Sequence, residues 1–190
     1  MAEVTEIRWH GRGGQGVVTA GKMLAQVALD SGQYFQAFPD YGPERAGAPI
    51  RAFTRLSSEP IHKHCQIQKP DIVLVLDPTL LDAIDVAEGL KEDGILLVNT
   101  ELSPGEVREK VGFETGQVFT VDASKIALET LGREITNTPM LGALVKATGM
   151  LSVEDLMGQT RKQFGDKFGK AVVDRNVEAI RRAAEEVQEG

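Results

Sequence analysis

Gly11-Arg12-Gly13-Gly14-Gln15-Gly16 is the stretch with the clearest chemical use. It joins a short apolar run, Ile7 to His10, to a segment of helical periodicity that begins at Val17. Glycines permit a tight turn, and unpaired amides at a helix start attract an anion, so the junction reads as a phosphate cradle. The motif fits G-x-G-x-x-G, whose dinucleotide form also needs an acid about 20 residues onward to grip a ribose. Asp40 is available for that, although it follows a proline inside a Gly/Pro-rich stretch. A stand-alone NAD(P)-binding enzyme is therefore one reading of the loop.

A second motif overlaps the first. Gly16 to Met23, "GVVTAGKM", has Walker A spacing until its last position, where Met23 replaces the hydroxyl residue that would hold magnesium. It also lies on a helical stripe, so its amides are committed to the helix; close packing at Gly21 and a solvated Lys22 explain it better than ATP. "IHKHC" (61–65) invites a metal reading, but on a strand His62 and His64 share one face and Cys65 takes the other. Surface histidines are the simpler account. Asp77 before Pro78 reads as a helix cap at a strand end, and Trp9 as packing or interface. No Ser/His/Asp or Cys/His arrangement emerges, and no residue is assigned as nucleophile or general acid.

The elements that must position the loop follow from periodicity. Residues 17 to about 30 form a helix with one buried stripe, closed by Gly32. Tyr34–Phe38 and Ile50–Leu56 have strand character, separated by an ordered loop over 39–49, and alternation resumes over Ile61–Ile67. "DIVLVLD", "DGILLVNT" and "GQVFTVDA" are strand-length apolar runs of the kind covered on both faces. Asp77-Pro78 opens a helix with Leu80, Leu81, Ile84 and Ala87 inward, and Ser124–Leu131 is another. Thr138-Pro139 supplies a hydroxyl cap and first-turn proline to the apolar helix that follows, and 152–188 is helical with a break at Gly165 and Gly169. Strands alternating with helices predict an α/β fold: three layers, α/β/α, with a largely parallel sheet, a Rossmann-like first βα unit and a helical C-terminal tail, in a single domain over 1–190. In that architecture ligands sit beyond the carboxyl ends of the strands, where the glycine loop, the 39–49 loop, Asp77 and the Asn137–Thr138 turn converge.

Composition narrows the class. Among 190 residues, a formal charge of −7 leaves no cationic surface for nucleic acid or an anionic membrane. No apolar run approaches the ~20 residues of a membrane span, and the N-terminus lacks the layout of a signal peptide. Cys65 is the one cysteine, so an internal disulfide is impossible and an iron–sulfur cluster lacks its thiolates. A cytoplasmic location is expected, with no nucleic acid and no membrane among the partners.

"IRWHGRGGQGVVTAGKMLA", "FPDYGPERAGAPIRAFTRLS", "DIVLVLD" and "NTPMLGALVKATG" together resemble the gamma chains of 2-oxoacid:ferredoxin oxidoreductases, those of the pyruvate enzymes in particular. The likeness spans nearly the whole chain, and the pairing of GRGGQG with YGPER carries it. It implies a subunit of a heterotetrameric enzyme that cleaves a 2-oxoacid on thiamine diphosphate, sends electrons through iron–sulfur clusters to ferredoxin and releases acyl-CoA. Thiamine diphosphate, magnesium and the clusters are implied in the alpha, beta and delta partners. The gamma chain is implied in binding coenzyme A and closing the active-site cavity. On that resemblance Gly11, Gly13, Gly14 and Gly16 offer amides to phosphate, Arg12 adds charge, and Gln15 reaches a polar ligand group or caps the helix. Tyr41, Gly42, Pro43, Glu44 and Arg45 build a loop facing the shared cavity, with Arg45 on a phosphate or carboxylate or else paired to Glu44 or a partner. Asn137 and Thr138 match the family turn, with capping as the plainer role for Thr138. Members handling 2-oxoglutarate resemble Y-G-P-E-x-R-G-G at this loop; here the arginine stands one place earlier. That form is closer to pyruvate-type chains, with branched-chain and aromatic 2-oxoacid enzymes carrying similar subunits.

Overall fold

Strand-length apolar runs alternate with amphipathic helices, and each buries its apolar face only by joining one sheet covered on both sides. The computed structural model describes residues 4–40, 47–165 and 167–190. In chain order the elements are β1 (Val4–Arg12), α1 (Val17–Asp30), β2 (Tyr34–Asp40), β3 (Pro49–Ser57), β4 (Ile72–Val75), β5 (Ile95–Asn99), α2 (Pro104–Val111), β6 (Gln117–Val121), α3 (Ala123–Leu131), α4 (Asn137–Thr148), α5 (Val153–Gly165), α6 (Lys170–Glu186) and β7 (Gln188–Glu189). A single 3-10 turn, Pro78–Asp82, follows β4.

The sheet order is β2-β3-β1-β4-β5-β6-β7. β1, β4, β5 and β6 run parallel, as expected of buried apolar strands. Outside this centre, β3 pairs antiparallel with β1, β2 with β3, and the short β7 with β6. The helix after the glycine loop thus leads to an antiparallel ribbon, and the parallel neighbour of β1 is β4. One face of the sheet carries Ile7, Trp9, Leu74, Leu97 and Phe119 under α1, α3, α4 and α6. The other carries Val73, Val75, Leu96 and Val98 under the 78–90 segment and α2. These are the three expected layers, with the heavier helical layer on the α1 side.

Several local readings change. Ile61–Ile67 is not a strand: its carbonyls are taken by sheet side chains, Gln36 Nε2 donating to Ile61 O (3.2 Å) and an Arg55 guanidinium nitrogen to Cys65 O (2.7 Å). The helix begun at Asp77-Pro78 stops after one turn, with Leu80 and Leu81 buried and Ile84 and Ala87 half-buried. Pro104–Val111 is a helix that apolar periodicity missed because only Val107 is a buried apolar side chain beyond Pro104. Its signal was the capping box: Ser103 and Glu106 bond reciprocally to each other's amides, with Pro104 at the first position. The tail ends in β7, not in helix. His62, His64 and Cys65 are exposed, whereas His10 is buried in β1.

Candidate functional site

The glycine loop closes on itself through Gln15. The Arg12 amide donates to Gln15 Oε1 at 2.7 Å, the Gln15 amide donates to Arg12 O at 3.1 Å, and Gln15 Nε2 donates to Asp77 Oδ2 at 2.6 Å. Gln15 therefore braces the turn through both ends of its side-chain amide and does not cap α1. Gly13 N lies 3.4 Å from Ala48 O. Among the described residues, the amides of Gly14, Gly16 and Val18 find no acceptor. Gly13 and Gly14 are exposed. The start of α1 is thus an open set of donors with its dipole behind it.

Gly16 is what lets the second element approach. It caps α1 in the left-handed region, φ 78°, and a Cβ there would lie 2.6 Å from Asn137 Nδ2. Asn137 begins α4 and is 7% exposed; its Oδ1 accepts from the Thr138 amide at 2.8 Å. Asn137 Nδ2 has no acceptor among the described residues. Thr138 does not act as the cap of α4: that place is Thr136, which makes no side-chain capping bond. The Thr138 hydroxyl is turned inward to Asn137 and to Asn176 Oδ1 (3.2 Å), tying α4 to α6. Sequence spacing placed Asn137 and Thr138 on one turn; the fold separates their roles.

Arg12 is held from three sides. Its guanidinium donates to Thr79 Oγ1 at 2.8 Å and to Gly47 O at 3.0 Å, and Nε stands 3.3 Å from Asp77 Oδ2. Asp77 caps the 3-10 turn, as the sequence suggested, accepting from the Thr79 amide and hydroxyl at 2.9 and 2.5 Å. It is also the anchor for Gln15 and Arg12, which no local pattern announced. Burial pushes the Asp77 carboxyl up, but the bonds from Thr79 and Gln15 and the charge of Arg12 outweigh it and leave it below its ordinary value. Tyr41, Gly42, Pro43, Glu44 and Arg45 lie outside the described residues; Asp40 and Gly47 on either side of that stretch are described. Asp40 pairs with Arg51 (2.8 Å) and accepts from Gln66 at 2.7 Å. It ends a strand that is two places from β1 in the sheet, which removes it from the ribose-binding position of a dinucleotide fold. α1 likewise buries Gly21 and exposes Lys22, so the Walker A spacing is helix packing.

Beneath the loop, β1 buries Arg8 and His10. Arg8 donates to His10 Nε2 at 3.0 Å and to Val86 O at 3.0 Å. Since Nε2 accepts, the imidazole proton sits on Nδ1, which is buried and has no hydrogen-bond partner among the described residues. Burial, then the charges of Arg8 and Arg51, depress the His10 pKa to about 3, so it is neutral across the physiological range.

Two cavities border these elements. One of about 600 Å³ opens beyond β5 and β6, lined by Glu101, Asp122 and Glu186 with Lys125, which repels an anion. A smaller one, about 280 Å³, shares Asn137 with the glycine loop and carries Arg133 and Arg175. An anionic ligand fits the second side of the molecule.

A family model described as "Pyruvate ferredoxin/flavodoxin oxidoreductase" matches residues 6–186. Pyruvate synthase subunit PorC of Thermotoga maritima is 52% identical over 183 residues, covering 96% of this chain and 94% of that one. The pyruvate/ketoisovalerate oxidoreductases common subunit gamma of Pyrococcus abyssi is 51% identical, covering 96% and 97%. Among solved structures, pyruvate oxidoreductase subunit PORC from Thermotoga maritima superposes with a TM-score of 0.87 at 48% identity, over 99% of both chains. The 2-oxoglutarate:ferredoxin oxidoreductase of Magnetococcus marinus, solved with 2-oxoglutarate, coenzyme A and succinyl-CoA, gives 0.78 at 22% identity over 96% of this chain and 31% of that one, a likeness of fold.

Proposed function

Because this chain belongs to the pyruvate ferredoxin/flavodoxin oxidoreductase family, we propose that it is the gamma subunit of a 2-oxoacid:ferredoxin oxidoreductase and holds coenzyme A at the glycine loop. The observation that carries this reading is the junction itself: open amides at the start of α1, set by a left-handed Gly16 against Asn137, on a chain with no thiolate set for a cluster. The diphosphate of coenzyme A takes the amides of Gly14 and Gly16, Asn137 Nδ2 adds a neutral donor, and the Gly13 amide, bonded to Ala48 O, helps hold the turn. Arg12 and Gln15 shape the turn. Arg12 contributes positive potential from its place against Asp77 and Thr79 and is not itself a phosphate ligand. Gly11 is the penultimate residue of β1, the strand that delivers the loop.

Pyruvate is the proposed 2-oxoacid, with a branched-chain relative such as ketoisovalerate the nearest alternative, in keeping with the names of the two relatives. Thiamine diphosphate with magnesium supplies the carbanion chemistry, and iron–sulfur clusters carry electrons to ferredoxin. Both reside in alpha, beta and delta partner chains, and this chain positions the acyl acceptor and covers the shared cavity. Tyr41–Arg45 is assigned to that cavity by the family resemblance; the bond from Arg12 to Gly47 O brings Gly47, two residues beyond that stretch, beside the glycine loop. No described helix is long and apolar enough to cross a membrane, which suits a cytoplasmic complex.

The test uses the assembled enzyme carrying Gly14→Val. A Cβ at Gly14 meets nothing within 4 Å, but at φ 98° a side chain strains the turn, so the change both crowds the ligand side and distorts the donor array. The KM for coenzyme A should rise at least tenfold with the KM for the 2-oxoacid unchanged. An unchanged KM for coenzyme A in an assembled variant removes the glycine loop from the site.

A further inference from the structure

We infer that the acidic cavity beyond β5 and β6 receives an arginine side chain of a partner subunit, an inference that rests on this chain working within a larger assembly. The cavity measures about 600 Å³ and lies off the carboxyl ends of those strands. β1, β4, β5 and β6 run parallel, so the glycine loop opens on the same edge of the sheet. Neighbouring strands stand about 4.8 Å apart, which puts the cavity roughly 10–15 Å along that edge from β1. One partner chain closing over the loop spans both places, since a stable interface covers about 800 Å² on each side.

The lining sets the sign of the occupant. Glu101, Asp122 and Glu186 line the cavity with a single cation, Lys125. Glu186 pairs with Arg182 through Oε1 at 2.8 Å, and Asp122 Oδ1 accepts from the Lys125 amide at 2.8 Å. Glu101 is exposed and has neither an ion pair nor a hydrogen bond among the described residues. The Lys125 ammonium forms no ion pair with any of the three carboxylates, so it neutralises none of them at close range.

Water alone can solvate an acidic surface, but a second feature points to an occupant. Thr120 is 2% exposed and lines the cavity, and its hydroxyl bonds to no described residue. Hydroxyls this deep are ordinarily bonded, and an open one costs free energy until something supplies a partner. Thr100 shares the wall but uses its oxygen on the Leu102 amide at 3.2 Å. The acceptors are also spread, not focused: among the described residues no three acidic, histidine or cysteine side chains are placed to hold a metal ion. A guanidinium suits a spread set. Its five N–H groups reach two carboxylates and a hydroxyl together, and it gives up water more readily than an ammonium. Glu101 and Asp122 take the charge, and Thr120 Oγ1 takes one N–H.

Subunit association in the purified enzyme tests this. Glu101→Lys should raise the dissociation constant of this chain from its complex roughly tenfold or more, and Glu101→Gln, which only removes the charge, about threefold. Thr120→Val, close in shape, should raise it severalfold. Glu109→Lys makes the same charge change on exposed α2 and should leave association almost unmoved. In the assembled fraction of each variant every KM should match wild type. Phenylglyoxal, which modifies arginine, should spare one partner arginine in the wild-type complex and label it in Glu101→Lys. Unchanged association in Glu101→Lys and Thr120→Val means that the cavity holds solvent and overturns the inference, even where Gly14→Val still raises the KM for coenzyme A. Equal loss in Glu109→Lys assigns the effect to overall charge and overturns it too, as does a wild-type complex in which no partner arginine is protected. If no partner chain is recovered with this one, the reading as a subunit fails first and this inference falls with it.

Discussion

The two halves of the sheet are built to opposite rules. On the β4-β5-β6 side, strands are apolar on both faces and the elements that follow begin with closed caps: Asp77 on the 3-10 turn, the Ser103–Glu106 box on α2, and Asp122 on α3. On the β2-β3-β1 side, Arg8, His10 and Arg55 are buried within the strands, and α1 starts at a glycine with no side-chain cap. α4, which meets that side through Asn137, and α6, tied to α4 through Asn176, also start without one. A cap saturates the donors that an anion would use. Stability is therefore concentrated where no anion need bind, and open donors gather around Asn137. The comparison teaches that a glycine loop is informative because of what its neighbours leave unfilled.

The strongest way to break this contrast is Gly16→Val. A side chain in the left-handed region costs about 1–2 kcal/mol, and collision with Asn137 adds to it, so about 3 kcal/mol of stability should be lost. A thermal unfolding midpoint equal to wild type would mean that α4 is not held against the loop. His10 sharpens the contrast by pH. Its folded pKa, about 3, lies below the unfolded value of about 6.5, so its contribution is complete above 6.5 and declines as pH falls toward 3. At pH 5 wild type should have lost about 2 kcal/mol through this group, whereas His10→Gln, which keeps an acceptor for Arg8, should lack that component. Denaturant unfolding at pH 7 and pH 5 measures it; parallel pH slopes in the two proteins would refute a buried neutral histidine.

Asp77 joins the halves, capping on one side and anchoring Arg12 and Gln15 on the other. Asp77→Asn should cost about 1–2 kcal/mol and raise the KM for coenzyme A severalfold by loosening the turn. Because the folded carboxyl lies below its unfolded value of about 3.9, wild-type stabilisation is present above that pH and fades as pH falls through the lower folded value. The variant should be flat there, and acid titration of both proteins compares them. The smallest effect belongs to the closed half: Asp122→Ala should cost about 1 kcal/mol with no change in any KM. A change in coenzyme A affinity from that substitution would erase the division.

Much of the frame was legible because its causes are local. The runs around Val73, Leu97 and Phe119 are long enough and apolar enough to be buried strands, and the step from β1 through Gly11–Gly16 into α1 is written in consecutive residues. The family resemblance, carried by GRGGQG and its companions, was also legible there. Helix starts were readable where a hydroxyl or carboxylate stood before the first turn, as at Ser152, whose hydroxyl accepts from the Asp155 amide at 2.9 Å. What periodicity did not decide was which strand would lie beside which. β2 and β3 have the same strand pattern whether they run parallel or antiparallel, and only the competition of edges for backbone partners settles that.

The site divides in the same way. Sequence alone determined that Gly11–Gly16 would present amides at a helix start, since that needs only neighbouring residues and their allowed backbone angles. Tertiary structure decided that Asn137 would meet Gly16, that Asp77 would brace Gln15 across 62 positions, and that Arg133 and Arg175 would flank one cavity. Those meetings depend on the packing of whole layers, where small shifts in many side chains set the separation of groups far apart in the chain, and no short stretch of residues encodes such a distance.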